Sequence, residues 1–304
     1  MRIDARTTIA LGITILLWAS SFVAVRAILP VFTPGHIALF RFLIASVLLV
    51  VPAIITHIKL PALKDIPVVF LMGFLGIFVY HIAQNYGEIT VTAGSAAMIM
   101  SSVPIFTAIL ATLFLAEKLR LWGWLSILVS SLGVYLIALG EKEGVKFDWG
   151  VIILLLAAIS TSAFFVLQKS YLKKYGALHL VTYAIWAGTL LLLIFAPGLV
   201  KEIANAPTEA TISMIYLGIF PSAIAYFTWS YALSRAPASI VASFIYIQPV
   251  LTIVIAWIWL SEMPALISMI GGVSSIGGVF MFNKYGLSPS AATSPRARAN
   301  RRQR

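Results

Sequence analysis

The sequence predicts an all-α integral membrane protein: ten transmembrane helices arranged as two inverted five-helix repeats. Three observations lead there. First, 61% of the 304 residues are hydrophobic and only 10% are charged, too little polar surface to cover a water-soluble globule of this size. Second, the apolar residues fall in separate uncharged runs of about 20, the length that crosses a bilayer as a helix. The ~10-residue alternating segments of a membrane β-barrel are absent. Third, the two halves match at a constant shift of 145 positions. AGSAAMIMSSVPIFTAILATLFLAE at 93–117 and ASIVASFIYIQPVLTIVIAWIWLSE at 238–262 then place Pro104 on Pro249, Thr107 on Thr252 and Glu117 on Glu262. Gly73 meets Gly218, Tyr86 meets Tyr231 and Gly133 meets Gly278 at the same shift.

The spans follow in order. The first, 8–29, comes after Arg2 and Arg6 and reads as a retained helix rather than a removed signal peptide, because nine more follow it. Spans at 34–56, 66–87, 92–116 and 120–139 complete the first repeat, taken as residues 1–143. Spans at 147–168, 178–197, 211–233, 237–260 and 264–283 form the second, taken as 144–286. The polar join is the EKEGVKFD segment at 141–148. Residues 287–304, rich in Ser, Pro, Ala and Arg without apolar period, read as a disordered tail near anionic lipid headgroups.

Basic residues set the orientation. With the N-terminus in the cytoplasm, the inner segments and tail collect 16 Lys and Arg, while the outer loops hold only Lys142, Lys146 and Lys201. Both termini are therefore expected on the cytoplasmic side. Five spans per half is an odd number, so the second half enters the membrane from the opposite side to the first, as in transporters that exchange inward- and outward-open shapes. The net charge of +11 is explained by this topology signal, so no nucleic-acid partner is expected. The chain has no cysteine, which excludes disulfides, thiolate chemistry and Cys-ligated metals. No P-loop, G-x-S-x-G elbow or H-E-x-x-H pair occurs, which argues against an enzyme, and no cofactor is implied. A membrane receptor or scaffold is the alternative of a different class, but no large soluble domain supports it.

Four stretches carry a resemblance: LLWASSFVAVRAIL (16–29), ALFRFLIASVLL (38–49), SAAMIMSSVPIFTAILATLFLAEKL (95–119) and PASIVASFIYIQPVLTIVIAWIWLSE (237–262). In order and spacing, over about residues 8–283, they resemble the EamA-type branch of the drug/metabolite transporter superfamily. The resemblance implies a central cavity enclosed by the first four helices of each repeat, with the fifth packed outside. It implies a permease of a bacterial inner membrane, monomeric or homodimeric, that exports amino acids, other small metabolites or toxic compounds. The substrate stays open.

Candidate cavity residues come from helical faces. On the fourth span, Gly94, Met98 and Ser101 share a face, and the repeat carries it onto Ser239, Ser243 and Tyr246 on the ninth. Close helix packing explains such small residues equally well. The third span holds Tyr80, His81, Gln84, Asn85 and Glu88, a polar density that faces protein interior or water. Its counterpart on the eighth holds Tyr226 and Trp229. The first span adds Trp18 and Ser21, the sixth Phe165; Trp18 matches the tryptophan of the resembled family. Arg26 and Arg41 are the basic residues inside spans, and Arg41 matches a family arginine. A guanidinium there is expected to pair with Glu88 or with backbone carbonyls at a helix end; the alternative is that it attracts an anionic substrate or carboxylate. Glu117 and Glu262 occupy equivalent places at opposite membrane faces, where they mark interface-level helix ends or, alternatively, latch the halves. Coupling to protons would fall to His81 or Glu88, with Arg41 as a further charged group; facilitated flow needs none of them.

Overall fold

The computed structural model describes residues 4–115, 121–140, 148–236, 238–281 and 284–285, which form helices and turns with no strand. Ten apolar helices run in order: α1 (Ala5–Ile28), α2 (Pro34–Ile55), α3 (Leu63–Gly87), α4 (Ala93–Phe114), α5 (Leu121–Gly140), α6 (Trp149–Tyr175), α7 (Ala177–Phe195), α8 (Thr208–Arg235), α9 (Ala238–Ser243 continued by Phe244–Ile247 and Gln248–Leu260) and α10 (Leu266–Met281). Seven of them, α1–α4 and α6–α8, are long and apolar enough to cross a membrane. Glu117, the tail at 287–304 and nearly all of the 141–148 join lie outside the described residues.

Local chemistry sets the helix starts. The Asp4 side chain accepts from the Thr7 amide at the head of α1, Thr92 from Ser95 at α4, and Asp148 from Gly150 at α6. Pro34 opens α2, where its missing N–H costs nothing.

Four helices break at matching places. α3 widens into a π-helical segment at Phe74–Val79 and α8 into another at Gly218–Ile224, the latter around Pro221. These lie one repeat shift apart. α4 turns at Ser101 and Ser102 before Pro104, and α9 tightens into a 3-10 segment at Phe244–Ile247 before Pro249. In a bilayer the carbonyls freed by such breaks need partners from neighbouring helices. They have them. Ser160 donates to Leu75 O (2.8 Å), Tyr226 OH to Gly76 O (3.0 Å), Ser162 to Val103 O (3.0 Å) and Trp18 Nε1 to Pro221 O (3.3 Å).

Packing interleaves the two halves. α1 lies against α8 and α9, and α6 against α3 and α4; α2 packs on α8, and α3 on α7. Gly73 permits the last contact, since a Cβ there would come within 2.5 Å of the Gly188 nitrogen; Gly218 does the same for α2, 2.6 Å from the Ile44 Cβ. α5 and α10 pack on each other through a small-residue seam in which Ser130 donates to Ser275 O (2.9 Å). Large apolar side chains such as Val47, Ile54, Leu113, Phe114, Trp257 and Ile258 point outward, where a lipid environment would receive them.

Candidate functional site

At the centre, α1, α6 and α8 bring aromatic rings together. Trp18 lies parallel to Phe165 (centroids 6.2 Å apart) and tilted on Trp229 (5.0 Å), and Phe165 meets Trp229 at 4.5 Å. Tyr226 sits edge-on to Trp18 at 5.7 Å. Trp18, Phe165 and Tyr226 border a central cavity that also receives Tyr80 from α3, Met100 and Val103 from α4, Thr161 from α6, and Ile245 and Gln248 from α9. Its volume is about 20 Å³, room for about one water molecule. Small-molecule pockets commonly hold ~300 Å³ or more, so the cavity as it stands is too small to enclose a metabolite. The larger space, about 680 Å³, is a vestibule at the rim where α1 ends, bordered by Arg26, the 29–34 turn, Ile89, Leu260 and Glu262. It is open and has a single aromatic residue, Phe32, in its lining, so the central cavity is the better candidate for recognition.

One turn beyond the rings, α3 carries a buried polar stripe facing α2. The hydroxyl of Tyr226 donates its one proton to Gly76 O, so His81 Nε2 must be the donor in the 2.9 Å contact with that hydroxyl. That leaves His81 Nδ1 as a bare acceptor with no partner. Gln84 donates to Glu88 Oε1 (2.8 Å), leaving Gln84 Oε1 and Glu88 Oε2 unpartnered, and Asn85 donates to Pro34 O (2.9 Å), leaving Asn85 Oδ1. Across from them, Arg41 is 1% exposed. Its Nε donates to Ser222 Oγ (2.7 Å) while Nη1 has no partner. No ion pair joins Arg41 to Glu88 among the described residues.

The rim is built differently. Arg26 Nε donates to Glu262 Oε1 at 3.0 Å, and its Nη1 donates to Glu88 O (2.6 Å) and Ile89 O (3.0 Å) at the end of α3. Glu262 Oε2 accepts from the Ala93 amide at 3.4 Å. One pair of side chains thus ties α1, the end of α3, the start of α4 and the end of α9. At the opposite end, Lys169 on α6 donates to Leu233 O (2.5 Å) and Ala236 O (2.7 Å) at the end of α8. Each cation caps a helix C-terminus, where the dipole favours positive charge.

Of the residues singled out in the sequence, Trp18, Tyr80, Phe165 and Tyr226 border the cavity together. Trp229, buried completely, stands behind Trp18 and Phe165. His81, Gln84, Asn85, Glu88 and Arg41 form the adjoining polar layer. Ser21 and Ser101 are buried away from the cavity wall, and Ser101 donates to Ala97 O. The Gly94–Met98 face turns elsewhere: a Cβ on Gly94 would meet Ile253 and Pro264, and Met98 lies against Gly272 of α10. Met100, on the opposite side of the same helical segment, and Val103, just past the turn at Ser101 and Ser102, face the cavity instead. Tyr246 is half-buried while its neighbours Ile245 and Gln248 face inward; the side chains of Ser239 and Ser243 lie outside the described residues. Arg26 meets both backbone carbonyls and Glu262, rather than the Glu88 carboxylate. Phe42, Met100, Val103 and Ile245 were not legible as site residues, because apolar side chains in a chain this apolar carry no signal. Among the described residues, no cluster of three His, Asp or Glu could hold a metal ion.

The model of the EamA-like transporter family matches this chain twice, over residues 7–139 and 148–284. The chain belongs to the EamA-like transporter family. It is a multi-pass membrane protein and, by its family, a transporter rather than an enzyme. Among EamA relatives, an uncharacterized transporter of Bacillus subtilis, YdfC, is 46% identical over 263 residues, 86% of each chain. A probable terminal-alkyne amino-acid exporter of Streptantibioticus cattleyicolor is 33% identical over 278 residues, 90% of this chain and 92% of its own. A solved crystal structure aligns over 92% of this chain and 96% of its own at TM-score 0.65 and 17% identity, which shows a shared fold.

Proposed function

We propose that this EamA transporter is a secondary permease that exports small metabolites, amino acids or related compounds, by alternating access. The observation that carries the reading is the convergence of α1, α3, α4, α6, α8 and α9, three helices from each half, on one aromatic cavity with a buried polar layer beside it. The relative named as an amino-acid exporter supports the substrate class. The halves, 1–143 and 144–286, act as inverted five-helix repeats: the π segments of α3 and α8 and the reciprocal packing of α1 and α6 support this. Residues 287–304 serve as a basic cytoplasmic tail, and both termini face the cytoplasm of a bacterial inner membrane, which puts the Arg26–Glu262 rim outside. The partners are a small-molecule substrate and the lipid bilayer, with no nucleic acid, and the protein works as a monomer or homodimer.

The site uses Trp18, Tyr80, Phe165 and Tyr226 as its walls. Trp229, His81, Gln84 and Asn85 support them. Ser21, Met98, Ser101, Ser239, Ser243 and Tyr246 take part when the helices move apart. Counterflow in proteoliposomes with labelled amino acids, other metabolites and apolar toxic compounds tests the proposal. Flux of amino acids is expected, lost in Tyr226→Ala. Flux of toxic compounds alone would replace the substrate class, and no flux from any of them would leave a receptor or scaffold.

A further inference from the structure

The buried layer beside the cavity sorts its unpartnered atoms by helix. On α3 every one is an acceptor: His81 Nδ1, Gln84 Oε1, Asn85 Oδ1 and Glu88 Oε2. On α2 the one at Arg41 is a charged donor, Nη1. The two helices touch, with the Asn85 amide on Pro34 O at 2.9 Å and the Phe42 ring 4.6 Å from His81. Arg41 is linked to the cavity wall indirectly, because its partner Ser222 follows Pro221, whose carbonyl accepts from the Trp18 ring that borders the cavity. Leaving a guanidinium N–H and a carboxylate oxygen buried without partners is costly, more so in a membrane interior. A direct Arg41–Glu88 bond would remove both penalties, yet the structure does not make it.

We propose that Arg41 receives the carboxylate of a zwitterionic α-amino acid while Gln84 and Glu88 receive its ammonium group, with the substrate side chain in the Trp18–Phe165–Tyr226 aromatic space. A carboxylate beside a guanidinium gains paired, charge-assisted hydrogen bonds. The ammonium, three donors and no acceptor, matches an acceptor-only wall. A metabolite carrying a single charge leaves one of the two walls unsatisfied, so the same groups that bind also select. This assignment rests on the amino-acid reading of the transporter and specifies which part of the substrate each helix holds.

The test is competition against counterflow of a labelled apolar amino acid by three unlabelled probes: the free amino acid, its carboxamide and its N-acetyl form. Wild-type protein is expected to prefer the free amino acid over either blocked form by ~10–100-fold, the range for a lost charge-assisted hydrogen bond. Arg41→Gln should abolish the preference over the carboxamide but keep that over the N-acetyl form, and Glu88→Gln the reverse. Arg41→Lys should restore part of the carboxamide discrimination. If the variants fail to fold, thermal stabilisation of detergent-solubilised wild-type protein by the three probes gives the same ranking. Amino-acid flux with all three probes competing equally would overturn the assignment and leave amino-acid transport standing. Selectivity unchanged in a folded Arg41→Gln protein would overturn it as well. Absence of any amino-acid flux would overturn both readings together.

Discussion

The rim and the centre of this transporter handle charge in opposite ways. At the rim, Arg26 and Glu262 are part-exposed, bonded to each other and further bonded to backbone. Inward of it, Arg41 and the Glu88 side chain are buried, lie on touching helices and are not bonded to each other, although the Glu88 carbonyl accepts from Arg26 of the rim. Water at the rim would forgive an unpaired charge, yet the two charges there are paired; the interior would punish one, yet atoms there are left over. A satisfied pair can hold a conformation. Unsatisfied groups hold a place for something else. The difference assigns latching to the rim and recognition to the centre.

The largest effect is expected where packing is densest. Trp229 is fully buried and braces both Trp18 and Phe165. Trp229→Ala should lower stability by ~3–5 kcal/mol through lost contacts and cavity formation, read as a drop in melting temperature, and should reduce flux more than any rim substitution. Undiminished flux in that variant would detach the aromatic cluster from transport. Tyr226→Phe keeps the ring and removes one hydroxyl, which strands Gly76 O in the π segment of α3 and the Nε2–H of His81. A loss of ~1–3 kcal/mol is expected, with slower flux and unchanged topology by accessibility labelling.

Much of this division could be read from the residues, and the part that could not has a physical cause. Polar side chains in apolar spans stand out because their burial needs a reason, so the α3 stripe and Arg41 were visible. Trp18, Phe165, Tyr226 and Trp229 were reached through helical position and the repeat. On α4 the sequence favoured the small or flexible face of Gly94, Met98 and Ser101, whereas in this conformation Met98 lies against α10 and Met100, on the other side of the same helical segment, borders the cavity. Proline positions announced breaks without saying by how much they rotate the chain. The partner of Arg26 was missed in part because Glu262 lies 236 residues away, and only the fold brings α1 and the end of α9 together.

The two capping cations offer a smaller test of the comparison. Lys169 holds two carbonyls at the end of α8 much as Arg26 holds two at the end of α3, but no carboxylate is bonded to it among the described residues. Lys169→Met should cost ~1–2 kcal/mol, the range for a cation at a partly buried helix end. Its effect on flux should be weaker than that of Tyr226→Phe, since capping α8 at this end touches no cavity residue. A stronger effect would mean that this end, too, holds a conformation.

The smallest energetic effect belongs to the rim pair, and it sharpens the comparison most. With side chains 28% and 21% exposed, the Arg26–Glu262 pair should contribute only ~0.2–1 kcal/mol to stability. Its consequence is expected in access instead. The chain has no cysteine, so a single Val103→Cys probe at the cavity wall reports entry of a membrane-impermeant thiol reagent added from outside. Arg26→Gln and Glu262→Gln should each speed labelling while barely moving the melting temperature, and the double variant should label no faster than either single one. Non-additivity of that kind is what one shared interaction produces. Additive rates would mean that the two residues act through separate contacts, Arg26 through the carbonyls of α3 and Glu262 through the start of α4. Unchanged labelling in all three would show that closure of the cavity depends on the aromatic packing at the centre, and the latch would then have to be sought there.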